Sequence, residues 1–170
     1  ATRTPTENGY TTEFNDGDAI GIFALKEYAT PDVTPVDGVY NPKLVYTKAA
    51  DGSGSWAPAS GDTHVLYNYD DDLVYVAYYP YREGITIKQD IETEIFKDLA
   101  ANAKLQPAAD QSTPAAYTGS DLMAAVARPA TDPTDANKKV LTLAFEHLHA
   151  LLVFKPSERF STLRITRRWF

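Results

Sequence analysis

The chain has 170 residues, enough for one domain with a buried core. Its formal charge of −7 argues against nucleic acid, whose phosphates need a basic face, and its 44% hydrophobic content is that of a globular protein. The absence of cysteine excludes disulfide frameworks, thiolate metal sites and cysteine nucleophiles, and no apolar run is long enough to span a membrane.

Eleven tyrosines, seven phenylalanines and eleven prolines against one methionine favour β-structure over a helical bundle. Residues 1–12 are polar without an apolar period and read as an extended arm, which leaves 13–170 as a single domain. Asn15-Asp16-Gly17-Asp18 is turn chemistry, and Ala19 to Leu25 is a β run in which Gly21 signals a bulge or a close backbone approach. Three prolines make 29–43 a loop or an edge. Leu44 to Thr47 and a partner opened by Trp56 form a hairpin around Ala50 to Gly54. His64 to Tyr67 is a further short strand. Leu73 to Tyr79 is the strongest, and alternation puts Leu73, Tyr75, Ala77 and Tyr79 on its core face.

Ile91, Ile95, Leu99 and Ala103 recur every four residues, with Asp90 as cap and Pro107 as terminator, so a helix is expected over 90–106. Ser120 to Ala125 reads as a short helical turn or a strand, and Pro129 to Asn137 as a loop. Val140 to Phe154 is the most apolar run and fits a core strand, a buried helix or a metal-binding pair of histidines. Phe160 to Thr166 alternates as a half-buried strand. About seven short strands between turn signals point to an all-β sandwich or barrel.

His147 and His149 share a face if the run is a strand, so two imidazoles could chelate one metal, with His64 or a carboxylate as third ligand. The competing reading packs one of them in the core with a hydrogen bond. Asp51 to Asp62 fails as a calcium loop because Trp56 stands where the sharp turn needs glycine. Serine catalysis and phosphate-cradling loops have no motif. Tyr67, Tyr69, Tyr75, Tyr78, Tyr79 and Tyr81 could form a sugar-stacking platform if exposed, which leaves a secreted carbohydrate-binding module as an alternative function.

Four segments in order resemble the fimbrillin-like family of Bacteroidales surface proteins. They are Phe14-x-x-Gly17-Asp18-x-Ile20-Gly21-Ile22-Phe23-Ala24; Ala77-Tyr78-Tyr79-Pro80-Tyr81; Asp110-Gln111-Ser112 with Ser120-Asp121-Leu122-Met123-x-Ala125; and Leu143-x-Phe145-x-His147-x-x-Ala150-x-Leu152-x-Phe154. The resemblance implies a transthyretin-like Greek-key β-sandwich of about seven strands, with the helix near 91–104 as an insertion. It implies a non-catalytic fimbrial (pilus) subunit or tip component at the cell outer membrane surface, exported as a lipoprotein precursor. Its partners would be other pilin subunits, a donor β-strand, and a host glycan or protein as adhesion target, with no cofactor. Processing after a basic residue such as Arg3 would remove a first strand, and a neighbour's strand would fill the groove. Relative to the family, this chain is expected to lack that first strand and a second sandwich domain. Within it, Phe14, Gly17, Asp18, Gly21, Tyr79, Pro80, Asp121, Leu122, Phe145, His147, Leu152 and Phe154 are read as packing positions. His147 thereby becomes a buried, hydrogen-bonded residue of a central strand.

Overall fold

The computed structural model describes residues 6–8, 11–26, 39–59, 73–87 and 92–149. Within the polar N-terminal stretch, β1 (Thr6–Asn8) pairs with β2 (Thr11–Glu13). The centre of the molecule is a six-stranded antiparallel sheet. It contains β3 (Ala19–Lys26), β4 (Tyr40–Lys48), β5 (Gly54–Pro58), β6 (Leu73–Tyr79) and β7 (Met123–Ala127). A separate hairpin joins β8 (Ala130–Asp132) to β9 (Asp135–Val140), and β10 (Glu146–His147) returns to the sheet, whose order is β10-β7-β6-β3-β4-β5.

Because β3 and β6 are central and almost wholly apolar, both of their faces are buried. On one face lie Ile20, Ile22, Ala24, Leu44, Leu73, Tyr75, Ala77, Tyr79 and Met123. On the other lie Phe23, Leu25, Val76, Tyr78, Leu122 and Ala124. The expected core face of Leu73 to Tyr79 is there, and its opposite face is a second core.

That second core is closed by helix. α1 (Glu92–Ala101) presents Ile95 and Leu99, one turn apart, to the sheet, where both are fully buried. It stops at Asn102, whose side chain caps a 3₁₀ turn (Ala103–Leu105) by accepting the Lys104 N–H at 3.0 Å. Ile85, Ile87 and Leu105 complete the layer. A short helix, α2 (Pro114–Thr118), is opened by the Thr113 hydroxyl and leads into β7.

Gly21 fulfils both readings of a glycine inside a strand. The β3–β4 register shifts between Gly21 and Phe23, and a Cβ at this position would overlap the Tyr78 ring and Asn41 Oδ1. The Tyr78 hydroxyl lies 2.7 Å from Asn41 Oδ1 and 2.9 Å from the Arg82 carbonyl, and it accepts the Arg82 N–H at 3.3 Å. Asn41 holds a left-handed φ of 58° and donates its amide to the same carbonyl at 3.0 Å.

Two sequence readings are corrected. Pro129 to Asn137 is not a loop throughout: Asp132 Oδ1 accepts the Thr134 N–H at 2.8 Å, closing a tight turn that pairs β8 with β9. Val140 to His149 is not a continuous strand, since only Val140, Glu146 and His147 stand in ladders. His64, Ala150, Leu152, Phe154 and 160–166 lie outside the described residues. The fold is an all-β antiparallel sandwich with, among the described residues, one inserted helix longer than two turns.

Candidate functional site: an uncharged sheet edge and its aromatic layer

The sheet ends on β5 at one side. Its turn is built by Asp51, whose Oδ1 accepts the Ser53 N–H at 2.9 Å and hydroxyl at 2.6 Å, bonds that hold this carboxyl below the usual range. The Ala49 N–H donates to the Ser53 carbonyl at 2.7 Å. Residues 49–53 are therefore a hairpin turn. β5 pairs with β4 from Leu44–Pro58 to Lys48–Gly54, and among the described residues no strand covers its outer edge. Edge strands usually carry charge to prevent unwanted pairing. Gly54-Ser55-Trp56-Ala57-Pro58 carries none, and only Pro58, which lacks an N–H, guards one end.

At the opposite side β7 is fully paired to β6 but meets β10 only at Met123 and Ala124. The Leu148 N–H extends this junction by donating to the Leu122 carbonyl at 2.8 Å. Residues 141–145, instead of continuing the ladder, pack Leu141, Leu143 and Phe145 on the face of Tyr79.

That face carries an aromatic layer centred on Phe14. Its ring centroid is 5.0 Å from Trp56, 5.1 Å from Phe145, 5.7 Å from Tyr79 and 6.0 Å from Tyr46, mostly edge-to-face. The turn after Phe14 fixes this position: the Gly17 N–H donates to the Tyr46 carbonyl at 2.9 Å, and the Tyr46 N–H to the Asp18 carbonyl at 2.8 Å. Gly17 supplies the φ of 91° that the turn requires.

Asp18 is only 3% exposed. Its Oδ2 accepts the Asn15 N–H at 2.7 Å, while Oδ1 is buried without a hydrogen-bond partner among the described residues. Burial pushes its pKa up against the opposing effect of the Asn15 bond. The Tyr79 phenol is likewise pushed well above its ordinary value, first by burial and then by the charges of Asp18 and Asp121. Pro80 follows Tyr79 through a cis peptide bond.

His147 departs from its reading as a buried residue. Its side chain is 41% exposed and its Nδ1 lies 2.8 Å from Asp121 Oδ1; among the described residues β10 is a two-residue edge rather than a central strand. His149 is half-buried, with Nδ1 lacking a partner among the described residues. The described residues contain no group of three or more histidines and carboxylates able to hold a metal. The tyrosine platform is not assembled either: Tyr75, Tyr78 and Tyr79 are buried, Tyr81 is half-buried under Lys43, and Tyr67 and Tyr69 lie outside the described residues. Sequence reasoning missed the β5 edge, although the unbroken absence of charge from Gly52 to Ser60 was its visible signal.

The sequence profile of the fimbrillin-like family matches residues 2–166. The chain is 34% identical over 165 residues to the "Putative fimbrium tip subunit Fim1C" of Bacteroides ovatus, an alignment covering 94% of this chain and 27% of that protein. The chain thus spans about a quarter of the length of that curated relative. No solved structure matches it. With its sandwich fold and a profile match over nearly its whole length, the chain belongs to the fimbrillin-like family.

Proposed function

We propose that this chain is a non-catalytic structural subunit or tip component of a cell-surface fimbrium, and that it joins its neighbours by β-strand addition. The observation that carries the reading is an uncharged edge strand, β5, beside a half-buried aromatic layer, in a member of the fimbrillin-like family. An added strand would satisfy the outer backbone groups of β5, while its alternate side chains cover Trp56 and Phe14. Ladder bonds supply affinity and the aromatic layer supplies register.

The remainder of the reading is supported by the family resemblance alone. The chain is exported as a lipoprotein precursor to the outer membrane surface, Arg3 is the processing point, and residues 13–170 act as one sandwich domain after the arm of 1–12. Phe14, Gly17, Asp18, Gly21, Tyr79, Pro80, Asp121, Leu122 and Phe145 serve packing rather than catalysis.

Light scattering over a concentration series, with and without peptides of alternating apolar residues, tests strand addition. Self-association or peptide binding is expected, and Ser55→Lys or Ala57→Lys abolishes it while leaving the thermal unfolding curve intact. A strictly monomeric chain indifferent to peptides, or charged-edge variants that associate like the parent, would overturn the assembly mode.

A further inference from the structure

We propose that the β8–β9 hairpin is a site of limited proteolysis, cut after Lys138 or Lys139 by an endoprotease that accepts lysine on the acyl side of the scissile bond. The hairpin is a two-stranded sheet of its own, separate from the central sheet. A lone pair of strands has little independent stability. Its register runs from Ala130–Val140 and Thr131–Lys139 directly to Asp132–Asp135, so Ala136, Asn137 and Lys138 lie opposite no β8 residue. These three are exposed, and Val140 just beyond them is 38% exposed, the one large apolar side chain so open among the described residues. Lys138 is 67% exposed and its ion pair with Asp132 is 3.9 Å long, a solvent-screened contact that holds the strand weakly.

Endoproteases bind their substrates as an extended strand, which a folded chain offers only where a segment opens at small cost. Residues 135–140 are already extended, and of them only Asp135, Lys139 and Val140 face a β8 residue in the ladder. Several other basic residues among those described stand in costlier surroundings. Lys43 and Lys48 belong to β4, which is paired on both sides. Lys97 lies within α1, Lys104 donates to the Glu83 carbonyl at 2.8 Å, and Arg82 donates to the Gly119 carbonyl at 3.3 Å.

The cut is a hydrolysis: water adds hydroxyl to the lysine carbonyl carbon as the amide bond breaks, and the next residue leaves as a free amine. After a cut at 138–139 the downstream piece stays docked, because Leu141, Leu143 and Phe145 remain in the aromatic layer and β10 remains paired to β7. The hairpin is thus a place where the chain is severed without being released.

The test is brief digestion of the full native chain with trypsin, read by intact mass and native gel filtration. Within residues 92–149 the first cut is expected after Lys138 or Lys139, about tenfold or more ahead of Lys97 or Lys104. The two pieces co-elute, and with K138Q and K139Q together the first cut within 92–149 comes about tenfold or more later. A first cut in that span at any other basic residue, or a basic pair that survives while α1 is digested, would overturn the proposal. Pieces that separate on the column would overturn the docking.

Discussion

The two faces of the central sheet are closed by different means. The face of Phe23, Val76 and Tyr78 is covered by Ile85, Ile87, Ile95, Leu99 and Leu105, which follow β6 closely in the chain and are almost fully buried. The face of Ile22, Tyr75 and Tyr79 is covered by Phe14, Trp56, Leu141, Leu143 and Phe145, which come from three distant parts of the chain and are all half-buried. Their polar groups differ in the same sense. On the helix face Tyr78 is tied to Asn41 and Arg82, and the Tyr40 hydroxyl accepts the Ile87 N–H at 3.1 Å. On the aromatic face Asp18 keeps one oxygen without a hydrogen-bond partner among the described residues. One face is sealed by local packing, whereas the other is held together by aromatic contacts that a partner could extend.

The strongest way to break this comparison is to cut a cavity in the sealed face. Leu99→Ala should cost about 2–5 kcal/mol in urea unfolding, the range for a fully buried leucine with little room to relax. Phe14→Ala removes the hub of the aromatic face but starts half-exposed, so about 2 kcal/mol is expected, roughly half the fully buried value. Equal losses from the two substitutions would erase the asymmetry. Tyr78→Phe keeps the ring and deletes the hydroxyl, leaving Asn41 and Arg82 short of a partner at about 1–2 kcal/mol.

The smallest effect concerns pH. The folded pKa of Asp18 is raised above 3.8, so the native state binds its proton more tightly than the unfolded chain does. Its stabilising contribution is therefore full below the unfolded value and is lost as pH rises through the folded one. Unfolding measured from neutral pH downward should show Asp18→Asn missing a gain in stability that the parent shows just above 3.8. Parallel pH profiles would mean that the buried carboxyl is not the group responsible.

Much of the fold was legible because its signals are local. Gly52 between Leu44–Thr47 and Trp56 marks a hairpin, LVYVAYY marks a strand, and the four-residue spacing of Ile95 and Leu99 marks a helix. The failures share a cause as well. Pro133 and the aspartates around it are turn residues, and composition alone did not separate a loop from the tight turn of a hairpin. The apolar character of Leu141 to Phe145 reported burial correctly but not ladder pairing, since an extended segment can pack alternate side chains on a sheet without bonding to it. His147 was misplaced because its exposure goes with β10 standing at the edge of the sheet among the described residues, a fact of topology that no spacing within the segment encodes. The β5 edge was legible only as missing charge, a signal that gains meaning once the strand order is known.

The bare backbone at Gly21 has a consequence for how the sequence can vary. Because the Tyr78 ring and Asn41 Oδ1 fill the space a Cβ would take, positions 21, 41 and 78 are one unit drawn from three strands. A side chain at 21 becomes tolerable only when 78 shrinks and 41 withdraws. The three positions should therefore change in concert among relatives, and a single exchange at any one of them should be rescued by a matching exchange at another.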